Sequence, residues 1–203
     1  MTAGHGVTRP ARQVSVWNVA NVLTVLRLAL VPVFLLALLH QGGEAPGWRV
    51  GAFVVFALAS VTDRVDGQIA RRRGLVTDFG TIADPIADKA LIGAALAGLS
   101  ALGELPWWVT VLILVREVGI TALRLVVIRH GVLPASRGGK VKTLLQSLAI
   151  GLLVLPTEGW LRTVALTVMA AAVVVTVVTG VDYVARAVRL RRGSLRTRER
   201  MRR

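Results

Sequence analysis

Long runs of apolar residues, separated by short polar connections, make up most of this chain. The runs lie at residues 19–40, 50–72, 79–102, 107–129, 142–155 and 161–187. An α-helix needs roughly 20 apolar residues to cross the hydrocarbon core of a bilayer, and most of the runs reach that length. The connections hold Gly, Pro or charged residues, which interrupt helices. The pattern therefore predicts an all-α fold, a polytopic membrane protein with six transmembrane helices.

Composition strengthens the membrane interpretation. The chain has 203 residues, of which 54% are hydrophobic and 18% are charged, and its mean hydropathy is +0.65. Soluble domains carry about 25% charged residues. We expect one helical domain at residues 19–188, between an N-terminal segment at 1–18 and a basic tail at 189–203. No cysteine is present, which excludes disulfides, thiolate metal sites and a cysteine nucleophile.

Positively charged residues are distributed unevenly among the connections between the apolar runs. The formal net charge is +14, and much of it lies in an arginine-rich stretch that begins at Arg186. Most cations of the connections fall on alternate ones, whereas Glu44, Glu104 and Glu158 mark the opposite ones. By the positive-inside rule, both termini face the cytoplasm and the protein lies in the cell membrane. The arginine-rich stretch is interpreted as a contact with anionic membrane lipids. Nucleic acid is not expected as a partner, because the chain lacks interleaved aromatic residues for base stacking.

Four aspartates interrupt the second and third apolar runs near their cytoplasmic ends. They are Asp63, Asp66, Asp84 and Asp88. An aspartate inside a membrane helix costs about 3 kcal/mol, so this group needs compensating cations. Each pair is three or four positions apart and shares a helix face, and the short turn between the runs lets the two faces meet. We expect an all-oxygen site for Mg²⁺, Mn²⁺ or Ca²⁺, holding up to two ions for phosphoryl chemistry, in a polar active-site cavity that faces the cytoplasm.

Simpler interpretations of these aspartates stay open at this point. Asp84 precedes a proline, and this pair is common where a helix starts, so Asp84 can act as a cap alone. Asp63 can pair with Arg64 or Arg71, although such pairing leaves the other aspartates without enough cations. In favour of a phosphate site, Gly67 and Gly80 leave room for a phosphate near the backbone, and the guanidinium of Arg71 suits a diphosphate.

The aspartates belong to a longer motif that is similar to the signature of the CDP-alcohol phosphotransferase family. It reads Asp63-x-x-Asp66-Gly67-x-x-Ala70-Arg71, then eight residues, then Gly80-x-x-x-Asp84-x-x-x-Asp88. The resemblance implies a metal-dependent enzyme in which all four aspartates bind Mg²⁺ or Mn²⁺ and Asp88 is also the catalytic base. It implies contacts to the CDP group from a set that includes the first helix: Asn21, Thr24, Asp63, Gly67, Arg71 and Thr77.

Basic residues in the fourth and fifth runs bear on the acceptor alcohol. Arg116 and Arg124 are eight positions apart and share a helix face, and Lys140 and Lys142 lie at the start of the fifth run. We expect these four residues to bind a phosphate group on the acceptor. Alternatively, Arg116 pairs with the adjacent Glu117, and Arg124 extends to the membrane interface without a ligand.

The same region is similar to the bacterial phosphatidylglycerophosphate synthases within this family. The matching stretches are Leu114-Val-Arg116-Glu117, Arg124-Leu and Gly139-Lys140-x-Lys142-Thr143-x-x-Gln146. The resemblance implies a homodimer that transfers the phosphatidyl group of CDP-diacylglycerol to sn-glycerol 3-phosphate, giving phosphatidylglycerophosphate and CMP.

Other functions stay open as alternatives. Within the family, these are a cardiolipin synthase, which uses phosphatidylglycerol as acceptor, and a phosphatidylinositol phosphate synthase. A small ion channel or transporter would explain buried carboxylates, but it gives no reason for Gly67, Arg71 and Gly80.

Overall fold

The computed structural model describes residues 19–73, 78–127 and 137–201. These residues form six α-helices and one short 3₁₀ segment, with no strand among them. The helices are α1 (Val19–Leu39), α2 (Pro46–Arg73), α3 (Asp78–Ala101), α4 (Trp107–Val127), α5 (Arg137–Val154) and α6 (Gly159–Met201). The prediction of an all-α fold with six helices is therefore confirmed for the described part of the chain. The predicted N-terminal segment at 1–18 lies outside the described residues.

Three helices extend beyond the predicted apolar runs by at least two residues. α2 begins earlier, at Pro46, because proline is favoured in the first turn of a helix, where its missing N–H costs no hydrogen bond. α5 also begins earlier, at Arg137. α6 continues through the arginine-rich stretch to Met201, since arginine is a good helix former and the helix is already nucleated. The division into a domain at 19–188 and a tail at 189–203 stays a prediction.

A tight turn joins α1 to α2. It contains the 3₁₀ segment His40–Gly43, in which Gln41, Gly42 and Gly43 have φ angles of 50°, 67° and 78°. A β-carbon added to Gly43 would lie 2.8 Å from Leu102 Cδ1. The position therefore needs both the backbone freedom and the small size of glycine. The turn packs against the end of α3.

One apolar core lies between the helices. The rings of Phe34 and Phe56 pack α1 against α2, and their centroids are 5.8 Å apart. Ala52, Ala59 and Ala95 are fully buried, and small residues of this kind let membrane helices approach closely. Large members of the core with no more than 1% exposure are Phe34, Leu38, Leu96, Leu99, Ile113, Ile150, Leu153 and Val154.

The outside of the bundle is apolar as well. Leu36, Val115 and Val181 are 73%, 65% and 65% exposed. Among the described helices, two are long and apolar enough to cross a membrane by length and composition, over Asn21–Gly43 and Gly159–Arg189. A bundle with many exposed apolar side chains is costly in water and favourable in lipid, so the surface supports a membrane environment.

A group of charged side chains, termed here the Glu104 cluster, closes one end of the bundle. Arg49 Nη1 of α2 donates to Glu104 Oε1 at 2.6 Å, and Arg162 of α6 donates to Oε2 of the same carboxylate. Arg49 also donates to the last carbonyls of α5, at Leu153 and Val154. Burial alone would raise the pKa of Glu104, but the hydrogen bonds from Arg49 and Arg162 outweigh it and hold that pKa below its ordinary value.

Candidate active site

The four aspartates lie at the end of the bundle opposite the Glu104 cluster. Asp63 and Asp66 are in the second half of α2, and Asp84 and Asp88 are in the first half of α3. Because α2 begins at the Glu104 cluster and α3 ends there, the other ends of both helices reach the opposite side. The side chain of Asp88 is described, whereas those of the other three aspartates lie outside the described residues.

The surroundings of four more predicted site residues also lie outside the described residues. Gly67 and Arg71 are in α2 and Arg124 is in α4, but their side-chain surroundings lie outside the described residues. Thr77 lies outside the described residues altogether. The predicted contacts of these residues to CDP or to the acceptor stay predictions.

Asp88 is partly buried among charged groups from four helices. It interacts electrostatically with Lys89 on its own helix and, from the neighbouring helices, with Arg27 of α1, Glu117 of α4 and Lys142 of α5. Arg27 is 1% exposed and Lys142 is 4% exposed. Cations this deeply buried in an apolar bundle are rare and mark functional sites. Asp88 is therefore part of a polar centre inside the bundle.

Three polar residues of α1 also face the interior. Asn21, Thr24 and Arg27 follow one another at three-residue intervals and are 4%, 1% and 1% exposed. Asn21 and Thr24 are predicted CDP contacts, and they lie on the inner side of the helix that also brings Arg27 towards Asp88. No role was predicted for Arg27, although an arginine inside an apolar run is itself a signal of function.

Two of the predicted acceptor-binding residues meet at the carboxylate of Glu117. Arg116 Nη1 donates to Glu117 Oε1 at 3.0 Å, and Lys142 Nζ donates to the same oxygen. Arg116 Nη2 donates to Thr179 Oγ1 of α6 at 3.0 Å. The third, Lys140, is exposed in the first turn of α5. The pairing of Arg116 with Glu117, considered above as an alternative to phosphate binding, is present in the structure.

Two further polar residues, one partly buried and one buried, adjoin this group, and no role was predicted for either. Thr179 is 63 positions from Arg116, so no local motif connects them. Gln146 is one helical turn from Lys142 and is 2% exposed, and its Nε2 has no hydrogen-bond partner among the described residues. A buried donor without a partner is costly, so this atom is available to a bound ligand.

Comparison with known proteins identifies the family of this chain. A family model described as CDP-alcohol phosphatidyltransferase matches residues 17–178. A relative from Mycobacterium tuberculosis (strain ATCC 25618 / H37Rv), named probable phosphatidylglycerophosphate synthase, is 63% identical over 172 residues, which cover 85% of this chain and 82% of the relative. A relative from Bacillus subtilis (strain 168), named CDP-diacylglycerol--glycerol-3-phosphate 3-phosphatidyltransferase, is 39% identical over 68% of this chain and 77% of its own length.

A further relative has a different acceptor in its name. It is a cardiolipin synthase (CMP-forming) from Streptomyces coelicolor, 35% identical over 74% of this chain and 71% of the relative. The family model covers well over half of the chain, and both kinds of relative align with most of it. The predicted family is thus confirmed, and this chain belongs to the CDP-alcohol phosphatidyltransferase family of enzymes.

Proposed function

We propose that this protein transfers the phosphatidyl group of CDP-diacylglycerol to sn-glycerol 3-phosphate, giving phosphatidylglycerophosphate and CMP. The observation that carries the proposal is the 63% identity, over 85% of the chain, to a relative named as a phosphatidylglycerophosphate synthase. The name of the B. subtilis relative contains both proposed substrates. The buried Lys142 and the partly buried Arg116 support an acceptor that itself carries a phosphate.

Asp63, Asp66, Asp84 and Asp88 would hold two divalent ions, either Mg²⁺ or Mn²⁺. Carboxylate oxygens are the hard ligands that these ions prefer, and this donor set contains neither sulfur nor imidazole. The cations Arg27 and Lys142 interact electrostatically with Asp88. A buried carboxylate that binds a metal ion needs such compensating charge. When bound, the ions would neutralise negative charge on the diphosphate of the donor.

Asp88 is proposed as the general base of the transfer. It takes the proton of the primary hydroxyl of glycerol 3-phosphate, and the hydroxyl oxygen forms a bond to the lipid-side phosphorus of the donor. The bond between that phosphorus and the bridging oxygen breaks, and CMP leaves with the electron pair. The residues proposed to hold the CDP group in line for this attack are Asn21, Thr24, Asp63, Gly67, Arg71 and Thr77.

The acceptor phosphate is proposed to bind at Arg116, Arg124, Lys140 and Lys142. Lys142 interacts electrostatically with both Asp88 and Glu117. A phosphate bound by Lys142 would therefore lie within electrostatic range of the proposed base. Because the primary hydroxyl of glycerol 3-phosphate is separated from its phosphate by the glycerol carbons, this placement brings the reacting oxygen towards Asp88.

The arrangement in the membrane is part of the same proposal. All six helices cross the cell membrane as a homodimer, and both termini and the active site face the cytoplasm. The alternation of basic and acidic connections and the apolar exterior of the bundle support this orientation.

A cardiolipin synthase is the second candidate. The relative from S. coelicolor supports it, although its identity to this chain, 35%, is lower than the 63% of the M. tuberculosis relative. Cardiolipin synthesis uses phosphatidylglycerol as acceptor, so the two candidates differ only in what attacks the donor.

The test is CMP release from CDP-diacylglycerol by the purified full chain with Mg²⁺ or Mn²⁺. Glycerol 3-phosphate, phosphatidylglycerol and inositol phosphate are supplied in parallel, and we expect release with glycerol 3-phosphate. Asp88→Asn should reduce turnover by at least about 10³-fold while the protein stays folded. Asp182→Asn is the matched control, because Asp182 is an exposed aspartate that pairs with Arg186. Release with phosphatidylglycerol instead of glycerol 3-phosphate would contradict the first candidate in favour of the second.

A further inference from the structure

The guanidinium of Arg116 is held from two sides by two different helices. Glu117 of α4 accepts a hydrogen bond from Nη1, and Thr179 of α6 accepts one from Nη2, each at 3.0 Å. The Thr179 hydroxyl donates its own proton to the carbonyl of Val175 at 2.6 Å. Its oxygen therefore presents a lone pair to Arg116 and acts as a fixed acceptor.

The stem of Arg116 also contacts the neighbouring glycine of α6. A β-carbon added to Gly180 would lie 3.4 Å from Arg116 Cγ and 3.6 Å from Nε. The stem of Arg116 thus lies against the bare backbone of α6, directly beside Thr179. Arg116 is fixed along its length as well as at its tip, and its side chain is only 17% exposed.

These bonds leave part of the guanidinium available to a ligand. The group has five N–H donors, and the two bonds to Glu117 and Thr179 use one on each terminal nitrogen. The buried Nε has no hydrogen-bond partner among the described residues. A guanidinium binds a phosphate through paired, parallel hydrogen bonds, so its orientation decides whether both bonds form.

We infer that Thr179 is a positioning residue for acceptor recognition, which makes α6 part of the acceptor-binding pocket. The inference rests on the proposed function, in which Arg116 binds the phosphate of glycerol 3-phosphate. Thr179 orients the guanidinium of Arg116 so that its remaining N–H groups meet the phosphate. Glu117 fixes the opposite side of the same group and joins it to Lys142.

α6 offers a matched control for this contact. Thr176 lies one turn before Thr179, is fully buried, and donates to the carbonyl of Ala172 at 2.6 Å. Both threonines therefore bond to the backbone of α6, but only Thr179 also accepts a hydrogen bond from Arg116. Replacing each with the isosteric valine separates the loss of that bond from the general effect of removing a buried hydroxyl.

The experiment measures kcat and the KM of each substrate for purified full-length wild type, Thr179→Val, Thr179→Ser and Thr176→Val. We expect Thr179→Val to raise the KM of glycerol 3-phosphate roughly tenfold, with kcat and the KM of CDP-diacylglycerol changed by less than about threefold. Thr179→Ser keeps the hydroxyl and should behave like wild type. Thr176→Val should leave all three constants within about twofold of wild type.

Each other result would count against the inference. Equal effects of Thr179→Val and Thr176→Val, or a fall in kcat with both KM values altered, would mean that Thr179 acts only on the stability of the bundle. An unchanged KM for glycerol 3-phosphate in Thr179→Val would overturn this inference but not the proposed function, because the wild-type protein would still turn over glycerol 3-phosphate. Wild-type protein that does not use glycerol 3-phosphate would overturn the proposed function and the inference together.

Discussion

Glu104 brings together two arginines that are more than 100 positions apart in the sequence. Arg49 and Arg162 each donate to one oxygen of its carboxylate, and Arg49 also satisfies the carbonyls of Leu153 and Val154 at the end of α5. Those carbonyls have no partner within the helix, so the guanidinium caps α5. One residue in the α3–α4 connection thereby holds α2, α5 and α6 in place.

Removal of the carboxylate charge should weaken the bundle. We expect Glu104→Gln to lower the free energy of unfolding by about 2 kcal/mol, because Arg49 stays buried without its counter-charge. The cost stays moderate because Arg49 keeps its bonds to α5. Thermal unfolding in detergent measures the change. Glu44→Gln is the control, since Glu44 is exposed in the α1–α2 turn and has no ion pair among the described residues. An equal effect of both substitutions would contradict a specific role for the cluster.

The same residue should make stability depend on pH. The pKa of Glu104 in the folded protein lies below its ordinary value of 4.5. Its stabilising contribution is therefore complete above the unfolded pKa and is lost as pH falls through the lower folded pKa. We expect the difference in melting temperature between wild type and Glu104→Gln to be constant from pH 7 to about pH 5 and to shrink below about pH 4.5. A difference that stays constant through this acid range would contradict the assignment.

The sequence shows which charged residues are unusual but not which partners they have. The aspartate motif and the cations Arg116 and Lys142 stand out because charge is rare in apolar runs. The carboxylate that joins Arg116 to Lys142 is next to Arg116 in sequence, so this pairing was foreseeable as an alternative. The hydrogen bond from Arg116 to Thr179 could not be foreseen from the sequence, because it depends on how α4 packs against α6.

At the scale of helices, hydropathy located all six elements in the described part of the chain but misjudged several ends. Hydropathy falls where α6 enters its arginine-rich stretch, yet the helix continues, because backbone hydrogen bonding does not require apolar side chains. The early start of α2 at Pro46 follows from the geometry of proline, which hydropathy does not register. The sequence therefore predicts the position of each helix more reliably than its length.

The turn between α1 and α2 should be sensitive to single methyl groups. Gly42 and Gly43 both have positive φ, but only Gly43 lacks room for a β-carbon, because Leu102 lies in the way. We expect Gly42→Ala to cost about 1 kcal/mol and Gly43→Ala about 2–3 kcal/mol of unfolding free energy. Adding Leu102→Ala should remove part of the cost of Gly43→Ala in a double-mutant cycle. Strict additivity of the two changes would contradict the steric explanation.

The whole molecule has two chemically different ends. Exposed tryptophans lie at the starts of α2, α4 and α6, namely Trp48, Trp107, Trp108 and Trp160. Tryptophan is enriched where a bilayer meets water, and these residues share an end with the Glu104 cluster. The aspartates of α2 and α3 and the arginine-rich end of α6 lie at the opposite end. This polarity was predictable from the order of charges along the chain, whereas the closure of one end by the Glu104 cluster was not.

That polarity gives a direct test of the proposed topology. The chain has no cysteine, so single cysteines can be placed without background. In sealed, right-side-out membrane vesicles, a membrane-impermeant maleimide should label Glu44→Cys and Glu158→Cys, which replace exposed residues at the tryptophan end. Arg189→Cys, towards the other end of α6, should be labelled only after the membrane is permeabilised, because the proposed topology puts the arginine-rich side in the cytoplasm. Labelling at positions 158 and 189 in the same sealed vesicles would mean that α6 does not cross the membrane.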